Sequence, residues 1–354
     1  MSDSFGKTLT LTTFGESHGP ALGGVIDGFP PSVRIDEDFI RSEMARRKPG
    51  STSLGTQRKE DDEVEILSGV YNGMTTGTAI GFIIRNKSQR SADYSAIEHL
   101  YRPGHADYTY DAKYGIRDPR GGGRSSGRET ACRVFAGALA KLYLREKGIK
   151  ISAGVVELGG VKAEGYEWNP PFPGPLYAPL NANLDSMIGK AEKAKKDQDS
   201  VGGIIECHID GVPKGIGSPV FDKLDALFAH AMLSIGGIKG IEFGSGFEGA
   251  RKKGSENNDQ MRVVDGKPVF LSNNAGGILG GISNGNTIVF RVAVKPTPSI
   301  YREQMTINDR LENSTIKIEG RHDPTIVPRA VSVVEAMSAL TILDQYLEES
   351  CYGK

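Results

Sequence analysis

Alternating or β-branched apolar runs at residues 7–13, 23–26, 79–84, 149–157, 203–209 and 287–294 predict six strands. A two-residue period of this kind puts one face of a pleated strand on a core. Apolar positions three and four apart predict helices over 37–47, 129–147, 221–234 and 330–347. In the second helix Val134, Phe135, Ala138, Leu139 and Leu142 make the buried stripe, and Gly148 stands where a helix commonly ends. The polar stretch 190–200 reads as an exposed helix with a solvated face. Strands and helices interleave without regular strand–helix–strand spacing, so the pattern predicts an α+β layered fold rather than a doubly wound one.

No linker, low-complexity tract or charge block divides the chain, which predicts one domain over 1–354 with a short tail from about 348. The most linker-like stretch, 167–179, is rich in proline and aromatics. Val25-Ile26-Asp27-Gly28-Phe29-Pro30 recurs as His208-Ile209-Asp210-Gly211-Val212-Pro213, and Gly69-Val70-Tyr71-Asn72-Gly73 recurs, in the same order, as Gly281-Ile282-Ser283-Asn284-Gly285. Either strand–turn–helix units share turn chemistry by chance, or the chain is a duplication of two similar halves with a site where they meet.

The 43 basic and 44 acidic residues leave a net charge of −1. A general nucleic-acid binder needs a basic surplus, so no nucleic-acid partner is expected. Cys132, Cys207 and Cys351 are few and far apart, which argues against a disulfide framework or a zinc knuckle and for a reducing, cytoplasmic setting. No apolar run approaches the ~20 residues of a membrane span and no signal-peptide pattern opens the chain, so no membrane partner is expected. Glycine is the outlier at 46 of 354 residues, nearly double the usual ~7%. Clustered glycine lets backbone approach a ligand or another backbone closely.

One cluster lies in Arg120-Gly121-Gly122-Gly123-Arg124-Ser125-Ser126-Gly127-Arg128. Ser126-x-x-Glu129 fits a capping box, so exposed backbone N–H groups and a helix N-terminus follow the glycines, with Arg124, Arg128 and Arg133 alongside. The loop reads as an anion site; the alternative is an ordinary glycine turn with solvated arginines. It is not a Walker A loop, because no Gly-Lys-Ser/Thr follows. A second basic cluster, Arg41, Arg46, Arg47, Lys48, Arg58 and Lys59, is open to neutralisation by the acids at 60–65. Gly244-Ser245-Gly246-Phe247-Glu248-Gly249 matches G-x-G-x-x-G, but the polar residues 250–260 cannot pack as a Rossmann helix.

His18, His105 and His322 sit in turns beside arginine, carboxylate or hydroxyl groups, where imidazole can serve as acid or base. His99, His208 and His230 read as structural. A metallohydrolase would use His18, His105, Asp107, His322 and Asp323, but no H-x-H or H-E-x-x-H pair puts two ligands on one element, so no metal is expected. Proton-transfer groups beside an anion loop point to an enzyme acting on a phosphorylated small molecule.

Taken together, the segments resemble the chorismate synthase family. They are GESHGPALGGVIDGFP from Gly15, TTGTAIGFIIRN from Thr75, RPGHADYTYDAKYG from Arg102, RGGGRSSGRETACRVFAGALAK from Arg120, NNAGGILGGISNG from Asn273, KPTPSI from Lys295 and GRHDP from Gly320. The resemblance implies a lyase in the shikimate pathway that takes 5-enolpyruvylshikimate 3-phosphate to chorismate. Phosphate and a ring hydrogen are lost in an anti-1,4 elimination that requires reduced FMN. It implies a sandwich with two antiparallel sheets flanked by helices, a homotetramer, and either NADPH as reductant or an external flavin reductase. On the substrate side it implies Arg47, Arg58, Arg102 and Arg133. On the flavin side it implies Arg124, Ser125, Ser126, Gly236, Gly237, Gly280, Lys295, Pro296, Thr297, Pro298, Ser299 and Arg321. His18 would protonate the leaving phosphate, His105 would stabilise the anionic flavin, and Asp323, with His322 in support, would help move the proton that passes to flavin N5. Gly236-Gly237, Gly127 and Ser53-Leu54 depart from residues frequent in the family. A non-catalytic flavin- or phosphometabolite-binding protein is the alternative in another class.

Overall fold

The computed structural model describes residues 3–48, 62–87, 98–179, 183–318 and 323–350. The first half runs β1 (Ser4–Phe5), β2 (Thr10–Gly15), β3 (Ala21–Asp27), α1 (Glu37–Arg47), β4 (Val64–Ile66), β5 (Val70–Tyr71), β6 (Met74–Thr75), β7 (Ile80–Arg85), α2 (Asp107–Tyr114) and α3 (Thr130–Glu146). The second runs β8 (Lys150–Leu158), β9 (Val161–Lys162), α4 (Leu184–Lys196), β10 (Gly203–Asp210), α5 (Leu224–Leu233), β11 (Ile238–Phe243), α6 (Gly246–Gly249), α7 (Gly254–Asn257), β12 (Met261–Val264), β13 (Lys267–Phe270), β14 (Ile278–Leu279), β15 (Ile282–Ser283), β16 (Ile288–Val294), β17 (Gln304–Ile307), β18 (Asn313–Ile316) and α8 (Val327–Ser350). The expected helices and strands form, with edges shifted by a few residues. The strand expected at 7–13 starts only at Thr10, because the N–H groups of Lys7, Thr8 and Leu9 donate to the Asp344 carboxylate instead of a neighbouring strand. The helix α8 runs through Ser350, past the boundary expected at about 348. The G-x-G-x-x-G segment forms only the short turn α6, with no long helix behind it.

The architecture is α+β with two five-stranded antiparallel sheets, ordered β1-β2-β3-β7-β4 and β11-β16-β10-β8-β9. Their relation to the helices corrects the expectation. α3 packs on β2 and β3, α8 packs on β8 and β10, and the two helices pack on each other with α1 and α5 beside them. The helices therefore lie between the sheets rather than flanking them. α8 is long and apolar enough by composition to cross a membrane, yet its most apolar stretch is 89% buried inside the protein, as befits a central core helix. α3 and α8 approach so closely at Gly137 that a Cβ there would lie 2.4 Å from Ala336 Cβ.

The halves repeat one topology. The order β2-β3-β7-β4 recurs as β8-β10-β16-β11, with a helix after the second strand and a two-stranded hairpin, β5–β6 or β14–β15, just ahead of β7 or β16 in each half. Turn chemistry repeats with it. Thr75 Oγ1 donates to Pro30 O (2.7 Å) and accepts from Val33 N (3.0 Å), while Ser283 Oγ donates to Pro213 O (2.6 Å) and accepts from Ile216 N (2.9 Å).

Charges are buried where the helix layer meets the second sheet. Glu335 of α8 accepts from Lys141 Nζ at 2.5 Å, from Arg46 in a two-pronged pair at 2.7 and 2.8 Å, and from Ala153 N at 2.9 Å. Lys141 also holds Glu43. Burial pushes the Glu335 carboxyl up, but Lys141 and Arg46 outweigh it and hold it down at about 2.

Two outcomes follow from this packing. Gly137→Ala gains up to ~1 kcal/mol of helix propensity but forces overpacking worth about 1–3 kcal/mol, so its urea midpoint falls. A carboxyl depressed from 4.5 to about 2 contributes stability present above its unfolded value and lost as pH falls through that window. Glu335→Gln flattens that acid limb in denaturant titrations. At neutral pH it costs about 1.5–3 kcal/mol, because Lys141 and Arg46 lose their charge-assisted bonds to it and keep only Glu43.

Candidate active site

The anion loop folds as two successive 3-10 turns, Gly123–Ser125 and Gly127–Glu129, before α3 begins. Ser126 caps the second turn by accepting from Arg128 N at 3.3 Å. The reciprocal half of the expected capping box is absent, because the Glu129 carboxylate is engaged elsewhere: it accepts from Arg133 Nε at 2.9 Å and from Thr13 Oγ1 at 3.3 Å. Ser125 Oγ is also spent locally, donating to Gly122 O at 2.6 Å. Gly121 has φ +84° and lies against His18, where a Cβ would come within 2.5 Å of the ring. Only glycine meets both constraints.

From His18 a continuous set of contacts leads to His105. Ser17 Oγ lies 3.1 Å from His18 Nδ1. Gly121, which carries the His18 ring, accepts from Arg102 at 2.7 Å through its carbonyl. Arg102 grips Asp107 with Nε and a terminal nitrogen, both at 2.7 Å, and Asp107 takes His105 Nδ1 at 2.8 Å. An ionised carboxylate only accepts, so His105 carries its proton on Nδ1 and keeps Nε2 for a ligand. Burial pushes the Asp107 carboxyl up, but its bonds to Arg102 and His105 prevail and hold it well below the usual carboxylate range.

His105 lines a cavity of about 840 Å³ walled by the glycine loop, Tyr110 of α2, Arg133 of α3 and the end of α5 at His230 and Ser234. Its arginines are already paired: Arg120 with Asp118 at 2.8 Å, Arg124 with Asp3 at 3.1 Å and Thr13 Oγ1 at 2.7 Å, Arg133 with Glu129 and with Ser234 Oγ at 2.6 Å. These bonds fix each guanidinium in place before a ligand arrives, which lowers the cost of reorganising around an anion. His230, expected to be structural, lines the cavity; His99 and His208 are held at 2.7 and 3.0 Å by Asp309 and Glu206.

Behind His105 the turn Lys295, Pro296, Thr297, Pro298, Ser299 closes on the same loop. Lys295 Nζ donates to Gly104 O at 2.6 Å and Lys295 N to Gly237 O at 2.9 Å. A Cβ on Gly104 would lie 3.4 Å from Pro298, and one on Gly236 would lie 3.7 Å from Ser125 O. Partial burial, then Lys239, push the Lys295 ammonium below its ordinary value, and the buried hydroxyl of Thr297 has no hydrogen-bond partner among the described residues. A neighbouring anion with acceptor oxygens would relieve both, so these residues fit an anionic cofactor.

Other expected residues stand apart. Arg47 is buried against Asp62 at 2.5 Å and does not line the cavity; burial pushes its guanidinium down while Asp62 pulls it up. Asp323 pairs with Arg329 at 2.6 Å, and Arg329 Nε donates to Arg47 O at 3.1 Å, which places Asp323 on the Arg47 side. Gly280 belongs to the opposite end of α5 from Gly236, beside the Leu224 N to Gly281 O bond, a helix length of about 15 Å away. Arg58, Arg321 and His322, like Ser53-Leu54, lie outside the described residues. The sequence alone points to Asp107 only as a metal ligand, and it does not single out Tyr110, Glu129 or Ser234 as cavity residues. The signal for Asp107 was its place two residues after His105, opening α2.

An α+β protein with an ordered histidine, His105, and preset guanidinium groups around one cavity, and a second ordered ring, His18, packed behind its glycine loop, is the framework of an enzyme for a small anionic substrate. The chain belongs to the chorismate synthase family, whose model matches residues 9–347. Curated relatives named chorismate synthase include those of Cytophaga hutchinsonii, 52% identical over 98% of both chains, and Archaeoglobus fulgidus, 52% identical over 97% of this chain and 96% of the relative. A solved structure titled as a crystal structure of chorismate synthase superposes with a TM-score of 0.76 at 33% identity, covering 97% of this chain and 93% of the other.

Gly121→Ala tests the seat of His18. The expected result is a loss of about 1–3 kcal/mol in stability from the strained backbone and a roughly 100-fold fall in kcat from a displaced ring, measured by urea titration and steady-state turnover.

Proposed function

We propose that this chain converts 5-enolpyruvylshikimate 3-phosphate to chorismate by anti-1,4 elimination of phosphate and a ring hydrogen, with reduced FMN bound. The observation that carries this reading is the linked set His18, Gly121, Arg102, Asp107 and His105, which ties the buried His18 ring to His105 at the arginine-bearing cavity. When bound, the reduced flavin supplies an electron-rich, anionic partner that assists the loss of phosphate and hydrogen without net redox change.

The chain's own residues divide the remaining work. Arg102 and Arg133 meet substrate carboxylate and phosphate, their guanidinium planes set by Asp107 and by Glu129 with Ser234. His18 gives a proton to the departing phosphate. His105, oriented by Asp107, directs Nε2 to the anionic edge of the cofactor. Arg124, Ser125, Ser126, Gly236, Gly237 and the turn from Lys295 to Ser299 hold that cofactor, with Arg321. Arg47 and Arg58 extend the anion site, and Asp323 assists proton removal from the substrate carbon. Gly280 joins the cofactor residues on the family resemblance, and the chain works as a homotetramer. NADPH restores the reduced cofactor, directly or through an external flavin reductase, and the enzyme works in the cytoplasm. The repeated topology and repeated turn bonds support an ancient duplication of one half-chain, acting as a single catalytic domain.

His18→Ala and His105→Ala separate this reading from a non-catalytic binding protein. The expected result is a 10²–10⁴-fold loss of turnover with FMN binding, read by flavin fluorescence, nearly unchanged. Near-full turnover in either variant with flavin bound contradicts the role given to that histidine.

A further inference from the structure

The repeat that builds the catalytic cavity builds a second one. Thr10 faces Asp27 across β2 and β3 as Lys150 faces Asp210 across β8 and β10. Leu11 and Thr13, which line the catalytic cavity, therefore correspond to Ile151 and Ala153, and these line a separate cavity of about 680 Å³. The helices correspond as well. α5 follows the Ile-Asp-Gly turn of the second half and lends His230 and Ser234 to the first cavity. α1 follows the same turn of the first half and lends Glu43 and Arg46 to the second. In each floor a helix glutamate bonds the equivalent strand residue: Thr13 Oγ1 to Glu129 at 3.3 Å, Ala153 N to Glu335 at 2.9 Å.

The second cavity has kept a binding character of its own. Phe39, Phe172 and Tyr177 wall it. In its floor Glu43 and Glu335 are neutralised by Lys141 and Arg46. On its rim Arg145 and Lys150 outnumber the carboxylate of Asp210. Neither rim cation takes part in an ion pair among the described residues, and Arg145 lies 3.7 Å above the Phe39 ring. A cavity of this size, aromatic inside with a few convergent charges, has the makeup of a small-molecule site. The cation over an aromatic wall suits a flat ring that carries a carboxylate.

We propose that this cavity between α1, α3, β8 and the 170–177 loop is a second ligand site that binds aromatic monocarboxylates, distinct from the catalytic cavity. The ring packs among Phe39, Phe172 and Tyr177, and the carboxylate meets Arg145 and Lys150. The single tryptophan reports on it, since Trp168 Nε1 donates to Ser152 Oγ at 2.9 Å and its ring meets Phe172 edge-on at 4.7 Å.

The test is a titration of Trp168 emission in the full chain with 3-phenylpropanoate, with acetate and phenethylammonium as ring-free and cationic controls. The proposal expects a saturable change with 3-phenylpropanoate alone. It expects affinity about tenfold or more weaker in the Arg145→Gln/Lys150→Gln double variant, and unchanged in Arg120→Gln on the catalytic rim. Far-ultraviolet circular dichroism confirms that both variants fold. A non-saturable response, equal binding of phenethylammonium, unchanged affinity in the double variant, or weakening in Arg120→Gln instead each overturns it.

Discussion

The close approach of α3 and α8 at Gly137 and Ala336 is the constraint on which the rest depends. Two helices this near, each with its other side on a different sheet, fix the separation and angle of both sheets at once. Removing about 25 cal/mol per Å² of apolar surface from water supplies the driving force. The small residues at the crossing decide which geometry that burial takes. The charged groups then lock the register. Lys141 of α3 reaches Glu335 of α8, and Glu335 reaches across to Ala153 of the second sheet.

The same helix pair carries the site. α3 begins where the glycine loop ends, so Glu129 and Arg133 are placed in the cavity by the helix that forms the core. The opposite wall, with His105 and Asp107, is a loop running into the short helix α2, and Arg102 ties it to the glycine loop through Gly121 O. Rigid helix on one side and a tied loop on the other hold proton-handling and anion-binding groups in position without a ligand. Such preorganisation makes fixed charge effective in catalysis.

Much of this was legible in the chain. Apolar stripes marked α3 and α5 and a long, mostly apolar run marked α8, whereas the buried side of α1 mixes Ile40 and Met44 with Glu43 and Arg47. The paired Ile-Asp-Gly segments fell at equivalent turns of two matching sheets, whereas the segment 69–73 falls opposite 277–281 rather than 281–285, because Thr75 is the counterpart of Ser283. Short hairpins such as β5–β6 and the helix α2 were not legible, since two-residue strands have no period and Asp-Tyr-Thr-Tyr-Asp-Ala-Lys-Tyr has no apolar stripe. The placement of helices between the sheets is a tertiary fact that local pattern does not encode. Contacts of the candidate site were legible where chemistry clustered in sequence, as at Ser17-His18 and Arg102 to Asp107. Ser234 and Glu129 join the cavity through contacts the linear sequence does not mark, since folding brings Arg133 to Ser234, 101 residues away, and Thr13 to Glu129, 116 away.

The central claim is that one preset cavity performs flavin-dependent elimination on a phosphorylated substrate. Its most direct test is anaerobic turnover of 5-enolpyruvylshikimate 3-phosphate with chemically reduced FMN, following phosphate release and chorismate absorbance together. The account predicts matched appearance of both products, strictly dependent on the reduced flavin. Saturable binding of substrate and flavin with no phosphate released would contradict it.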